Sequence, residues 1–108
     1  MAEELSDFEK RRRALQTKLE MLIGNNHVYF NAPSRLEYDC IKYKLSSVQT
    51  RHADNLPYHY GYYWDLTLIE RNKTSDLFKR IIDYFKTCSF GTSYDADNLH
   101  HTVLRLYF

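Results

Sequence analysis

The chain has 108 residues, which makes one domain with a modest core, because a chain of this size buries roughly two-thirds of the surface its unfolded form exposes. With 44% apolar and 27% charged residues it reads as globular rather than disordered, and a net charge of +1 offers no global attraction to nucleic acid or acidic membranes. No apolar run approaches the ~20 residues of a membrane span, and the acidic start Met1-Ala2-Glu3-Glu4 is unlike a signal peptide.

Ser6 followed by Glu9 has the form of a capping box, with Asp7 and Glu9 placing negative charge in a first helical turn. Phe8, Leu15, Leu19 and Leu22 then fall at helical spacing and Gly24 supplies a stop, so an N-terminal helix is expected over about 6–23. Arg12 interrupts that seam. Its stem can lie along apolar surface while its head reaches water or a partner's carboxylate. Arg11-Arg12-Arg13 spreads around the helix and makes no single basic face.

His27 to Phe30 reads as a short strand, broken by Ala32-Pro33-Ser34. From Cys40 to Leu45, Ile41, Tyr43 and Leu45 alternate with Lys42 and Lys44, the pattern of a strand with one wet face. Ser46 to Arg51 either extends that strand or forms a turn. Tyr58 to Glu70 is the longest strand candidate, with Tyr62, Trp64, Leu66 and Leu68 on one face and Tyr63, Asp65, Thr67 and Ile69 on the other. Thr74 or Ser75 can cap a second helix, about 74–86, whose stripe is Leu77, Phe78, Ile81, Ile82 and Phe85. Cys88 to Tyr94 is a further strand, weakened by Gly91, and in the last strand Thr102, Leu104, Leu106 and Phe108 point one way. Helices and strands are grouped rather than alternating. The expectation is a single α+β domain over 1–108, with a mostly antiparallel mixed sheet, sheet core about 27–108, and the second helix packed on the sheet.

The tetrapeptide Ala-Asp-Asn-Leu occurs at Ala53–Leu56 and again at Ala96–Leu99, each time ahead of a stretch rich in aromatic and aliphatic residues. Asp and Asn favour turns, so the pair reads as two turns feeding two strands of one sheet. The ten tyrosines add rings that tolerate half-buried strands and wet subunit contacts. The two Ala-Asp-Asn-Leu loops and the Tyr58–Tyr63 segment are therefore candidate subunit contacts, through Asp54, Asn55, Tyr58, Tyr60, Tyr63, Asp97, Asn98 and His101, with Arg12 added from the first helix. Asx-turns inside one subunit explain the same Asp and Asn residues equally well.

The chain lacks the patterns of catalysis. Its three glycines are isolated, so no phosphate-binding loop is present, and there is no nucleophile elbow or zinc-type Cys/His cluster. Adjacent His100 and His101 should point to opposite faces of a strand, while His59 and His101 each follow an Ala-Asp-Asn-Leu copy and make a joint site conceivable. Asp95 and Asp97 near His100 read as turn residues before acid/base groups. Cys40 and Cys88 lie far apart and read as free thiols rather than a disulfide. No enzyme, metal or cofactor is expected. A nucleic-acid reading remains: Tyr58, Tyr60, Tyr62, Tyr63 and Trp64 as stacking platforms, with Lys42 and Lys44 supplying charge.

Three segments resemble the tail completion, or tail terminator, proteins of long-tailed bacteriophages. They are Val28-Tyr29-Phe30-Asn31-Ala32-Pro33; Tyr38 to Tyr43 with Ala53-Asp54-Asn55 and the strand ending Asp65 to Ile69; and Cys88-Ser89-Phe90 through Tyr94, Ala96-Asp97-Asn98-Leu99, His101 and Leu106-Tyr107-Phe108. The likeness runs from about Leu15 onward. It departs at Asp39, where the family usually has proline, at Gly91-Thr92, where an Asp-Arg pair is usual, and at Arg71 to Thr74, which replaces an acidic, proline-containing turn. The resemblance implies a non-enzymatic virion protein of the tail or neck, present in host cytoplasm during assembly. It would form a homo-oligomeric, six-fold ring at the head-proximal end of the tail, meet the tail-tube protein and a head-completion protein, and pass DNA through its lumen without sequence-specific binding. A head-side stopper or adaptor is the near alternative, and a nucleic-acid-binding accessory protein the alternative of another class.

Overall fold

Ser6 opens helix α1 (Asp7–Ile23): its hydroxyl accepts the Glu9 N–H at 3.1 Å, satisfying one of the helix's orphan donors. The reciprocal half of the box is not made, because the Glu9 carboxylate turns instead to Arg12 and Arg13. Gly24 ends the helix with φ +84°, and its N–H closes on the Glu20 carbonyl at 2.9 Å. A computed structural model describes residues 6–31, 34–53 and 56–108, and for positions 50–60 the backbone alone.

Five strands follow in one sheet of order β1-β2-β3-β5-β4: β1 (Val28–Phe30), β2 (Cys40–Ala53), β3 (Leu56–Glu70), β4 (Cys88–Ala96) and β5 (Leu99–Tyr107). Only β1 runs parallel to its neighbour; the other three pairings are antiparallel. The fold is α+β, as the grouping of elements implies. The stretch from Ser46 extends β2 rather than turning, and the expected break at Ala32-Pro33 lies outside the described residues.

Helix α2 (Leu77–Phe85) begins three residues later than the sequence suggests. Asn72 Oδ1 accepts both the N–H and the hydroxyl of Thr74, so an Asx-turn occupies the residue expected to cap. Asp76 stands at the N-cap without a side-chain cap bond, and the Ser75 hydroxyl accepts the Leu77 N–H at 3.3 Å.

Both helices lie on one face of the sheet. Leu15 and Leu19 of α1 and Leu77 and Ile81 of α2 are buried against Ile41, Tyr43, Trp64, Leu66, Leu68, Leu104 and Leu106. These sheet positions alternate along their strands, as a half-covered sheet requires. Trp64 sits at the centre, with the Phe8 ring stacked on it at 5.5 Å and Phe30, Tyr43 and Tyr62 around it. Deleting such a side chain costs about 3–5 kcal/mol. Trp64 and Tyr62 thus belong to the core side of the sheet, which removes them from any base-stacking platform.

β2 and β3 outrun the rest of the sheet. The last β5 partner of β3 is Tyr107 opposite Tyr63, and the last β1 partner of β2 is Phe30 opposite Tyr43. Beyond them, residues 46–53 of β2 pair only with β3 among the described residues, from Ser47 opposite Tyr63 to Ala53 opposite Leu56, while β3 meets the last of β5 at Tyr63 and, through its Tyr62 carbonyl, the Phe108 N–H at 3.0 Å. The result is a two-stranded arm of roughly 25 Å at the usual rise per residue.

Candidate functional site

The second Ala-Asp-Asn-Leu is a hairpin turn. Ala96 pairs with Leu99, and both residues between them have positive φ, +53° at Asp97 and +63° at Asn98. That is the conformation of a two-residue type I′ turn, for which Asp and Asn are favoured residues. The first copy joins β2 to β3 at the matching Ala53–Leu56 pair, while Asp54 and Asn55 lie outside the described residues. The two strands fed by these turns are neighbours: β3 pairs with β5 from Tyr63–Tyr107 to Glu70–His100.

Because that pairing is antiparallel, the Ala53–Leu56 and Ala96–Leu99 pairs stand at opposite ends of the sheet, separated by the length of β3, roughly 45–50 Å for its strand rise. His59, opposite Arg51 in the arm, is about 33 Å along β3 from Ile69, the partner of His101. A joint His59–His101 site is excluded. Among the described residues no three His, Cys, Asp or Glu side chains are grouped as a metal site.

The open face is built by the alternate residues of the same strands. Directly opposed residues share a face, so Lys44, Asp65, Arg105 and Ser89 form one row across β2, β3, β5 and β4. Arg105 Nε stands 3.7 Å from Asp65 Oδ1, and its Nη2 donates to Ser46 Oγ at 3.4 Å. Lys42 and Thr67 flank that row on one side, and Tyr63 and Tyr107, with ring centroids 5.0 Å apart, on the other. At the far end His101 stacks on Tyr94 at 4.8 Å and 10°. Two shallow depressions of about 170 and 290 Å³ meet at Asp65. Neither gathers a nucleophile with a base.

β4 forms one edge of the sheet. Ser89 through Asp95 are all exposed, including Phe90 and Tyr94, each about half accessible. Gly91 makes a bulge between Phe90 and Thr92, where a Cβ would stand 2.9 Å from the Val103 carbonyl oxygen.

The candidate contact residues divide accordingly. Tyr63 and His101 lie on the open face, and Asp97 and Asn98 at an exposed turn. Tyr58 and Tyr60 lie in the arm, with side chains outside the described residues. Arg12 is committed within the subunit: Nη2 and Nε bind Glu9 at 2.7 and 3.1 Å, Nη1 donates to the Tyr43 hydroxyl at 3.2 Å, and the guanidinium lies 5.1 Å from the Phe30 ring centre. Tyr43 in turn donates to Gln16 Oε1, and Gln16 Nε2 donates to the Val28 carbonyl at 2.8 Å, so the chain of bonds ties α1 to β1 and β2. The Arg12 head therefore meets its own chain's carboxylate rather than standing ready for a partner's.

Asp95 is a strand residue and not a turn residue: its carboxylate meets His100 Nδ1 at 2.8 Å and Lys73 at 3.5 Å, and the His100 bond lowers its pKa. Sequence reasoning passed over Arg105, Phe90 and the uncharged run of β4. The signal for the last was a strand-forming stretch, Cys88 to Tyr94, without a single charge.

No protein-family model matches this chain, and no curated protein is significantly similar to it. The family resemblance rests on the three sequence segments that carry it.

Proposed function

We propose that this chain is a structural subunit of a bacteriophage virion, a tail terminator that closes into a ring at the head-proximal end of the tail. In that role it caps the tail tube, presents a surface to a head-completion protein and lets DNA pass. The observation that carries the reading is the one-sided sheet: both helices cover one face, leaving a polar, tyrosine-bearing face, an edge strand and a protruding arm for neighbours. Head-to-tail contacts between such surfaces generate rings when their rotation closes. The sequence resemblance supplies the virion and the tail; the open surfaces support assembly.

The test is negative-stain imaging and sedimentation of the purified chain, alone and with the tail-tube protein of the same genome. Rings of uniform diameter that cap tubes of fixed length are the expected outcome. A chain that stays monomeric in both settings overturns the reading. The nucleic-acid alternative is favoured by one observation, the cations Lys42, Lys44 and Arg105 beside Tyr63 and Tyr107 on the open face. It predicts salt-dependent retardation of single-stranded DNA in a gel, which the ring reading does not.

A further inference from the structure

An edge strand invites pairing, and proteins usually blunt it with charge, proline or distortion. β4 carries one such device, the Gly91 bulge, and no charge or proline from Cys88 to Tyr94. Past the bulge, Thr92 to Ala96 pairs regularly with β5 on one side, and its other side has no partner among the described residues. On the opposite side of the sheet lies a second edge with no partner among the described residues, that of β2 beyond Phe30's partner Tyr43. It belongs to a two-stranded ribbon, a unit that is marginal in water until a third strand or a packed face joins it.

We propose that the free edge of β4 receives the arm strand of β2, residues 46–53, from a second copy of this chain, so that one sheet continues from subunit to subunit. This rests on the ring reading and names its contact. The lengths are commensurate, since β4 spans nine residues and the β2 segment of the arm eight. The two edges lie on opposite sides of the sheet, so each copy gives one and receives one, the heterologous arrangement that builds rings or filaments. β4 is antiparallel to β5, which runs parallel to β2, so copies sharing a strand direction meet as an antiparallel pair. The arm lies beyond the end of β4 along the strands, so neighbours are offset by roughly eight residues, about 25 Å at the strand rise. A closed ring then has its strands oblique to the ring axis, as strands are in barrels.

The experiment uses two double variants of the full chain, with lysines on both faces of one edge. Thr92→Lys with Ser93→Lys blocks β4, and Ser47→Lys with Val48→Lys blocks the arm; all four positions are exposed. Circular dichroism first establishes that both variants fold. Sedimentation is then expected to give oligomers for the unmodified chain and monomers for each variant. An equimolar mixture of the two is expected to give dimers and nothing larger, because one intact edge of each kind remains. Oligomers that persist in both folded variants overturn this contact and leave the ring reading standing. Dimers formed by one variant alone overturn it in favour of a two-fold contact. An unmodified chain that stays monomeric at every concentration, alone and with the tail-tube protein, overturns the contact and the ring reading together.

Discussion

Tyr107 lays its ring against the α-carbon of Gly61: a Cβ at that glycine would stand 2.5 Å from Tyr107 Cε2 and 2.8 Å from its hydroxyl oxygen. The contact lies at the root of the arm, where Tyr107 also packs on Tyr63. An aromatic ring over a strand glycine covers backbone that would otherwise be wet. Gly61→Ala is expected to push the ring away and cost about 1–3 kcal/mol, the usual penalty of overpacking. Urea denaturation in a double-mutant cycle checks the cause: in a Tyr107→Ala background the same substitution should cost close to nothing. An equal cost in both backgrounds assigns the effect to something else.

Glu9 accepts from both Arg12 and Arg13, and these bonds lower its pKa from 4.5 to about 2. A carboxylate held low in the folded state adds stability above its unfolded pKa and loses it as pH falls toward the folded one. The Glu9 contribution should therefore be complete above pH 4.5 and fade between 4.5 and about 2. Comparing thermal unfolding of wild type and Glu9→Gln across that range is the measurement. A gap that stays constant down to pH 2 would rule out the ion-pair account.

The elements that bury an apolar stripe were legible from the sequence, because period and burial share one cause. α1 appears at its expected place with Ser6 and Gly24 as its ends, and β3 divides its faces at Tyr62 and Tyr63 as the alternation predicts. The arm was not legible. Ser46 to Gln49 buries no core, and the sequence from Ser46 to Arg51 alternates weakly and leaves strand and turn open. The start of α2 moved for a different reason, since Thr74 had two competing roles and the Asn72 turn won it. The candidate contacts were half legible: a period-two wet face reads the same whether water or a neighbour covers it. Arg12 interrupts the apolar seam of α1, which points its head to water or to a partner's carboxylate; the Tyr43 hydroxyl that holds it lies thirty-one residues away, beyond any local spacing, and Glu9 reads from the sequence only as a first-turn acid.

Glu70 is almost fully buried, opposite His100 at the end of β3, and burial raises its pKa, with the Ser75 hydroxyl bond working against that. A carboxyl whose pKa is raised on folding destabilises the fold once pH exceeds the unfolded value of 4.5. Glu70→Gln keeps the shape and can keep the Ser75 bond, so the variant should be the more stable protein at neutral pH. Its advantage should vanish below pH 4.5, where both states of the wild type carry a proton. Loss of stability at neutral pH would mean that the charge itself is needed there.

Cys40 and Cys88 are separated by β3 and β5, three strand spacings or roughly 14 Å across the sheet, and by a further register offset along it, since Cys40 is level with Ile69 and Cys88 with Trp64; a disulfide needs α-carbons within ~7 Å. Burial raises both thiols to about 11. Both should resist a thiol-specific reagent at pH 8 in the native protein and react together on denaturation. Fast labelling of either one in the native state contradicts their burial.

The positive φ at Asp97 and Asn98 changes how the turn should be mutated. Alanine at Asn98 costs about 1 kcal/mol in this backbone conformation whether or not the side chain touches a neighbour. Glycine is the informative substitution: Asn98→Gly creates Asp-Gly, a favoured type I′ pair, and should stabilise the isolated subunit by a few tenths to about 1 kcal/mol. Stability and assembly then separate. If the Asn98 side chain joins a subunit contact, Asn98→Gly raises the unfolding midpoint and lowers the oligomer fraction in sedimentation. If its work is local to the turn, the midpoint rises and the oligomer fraction holds.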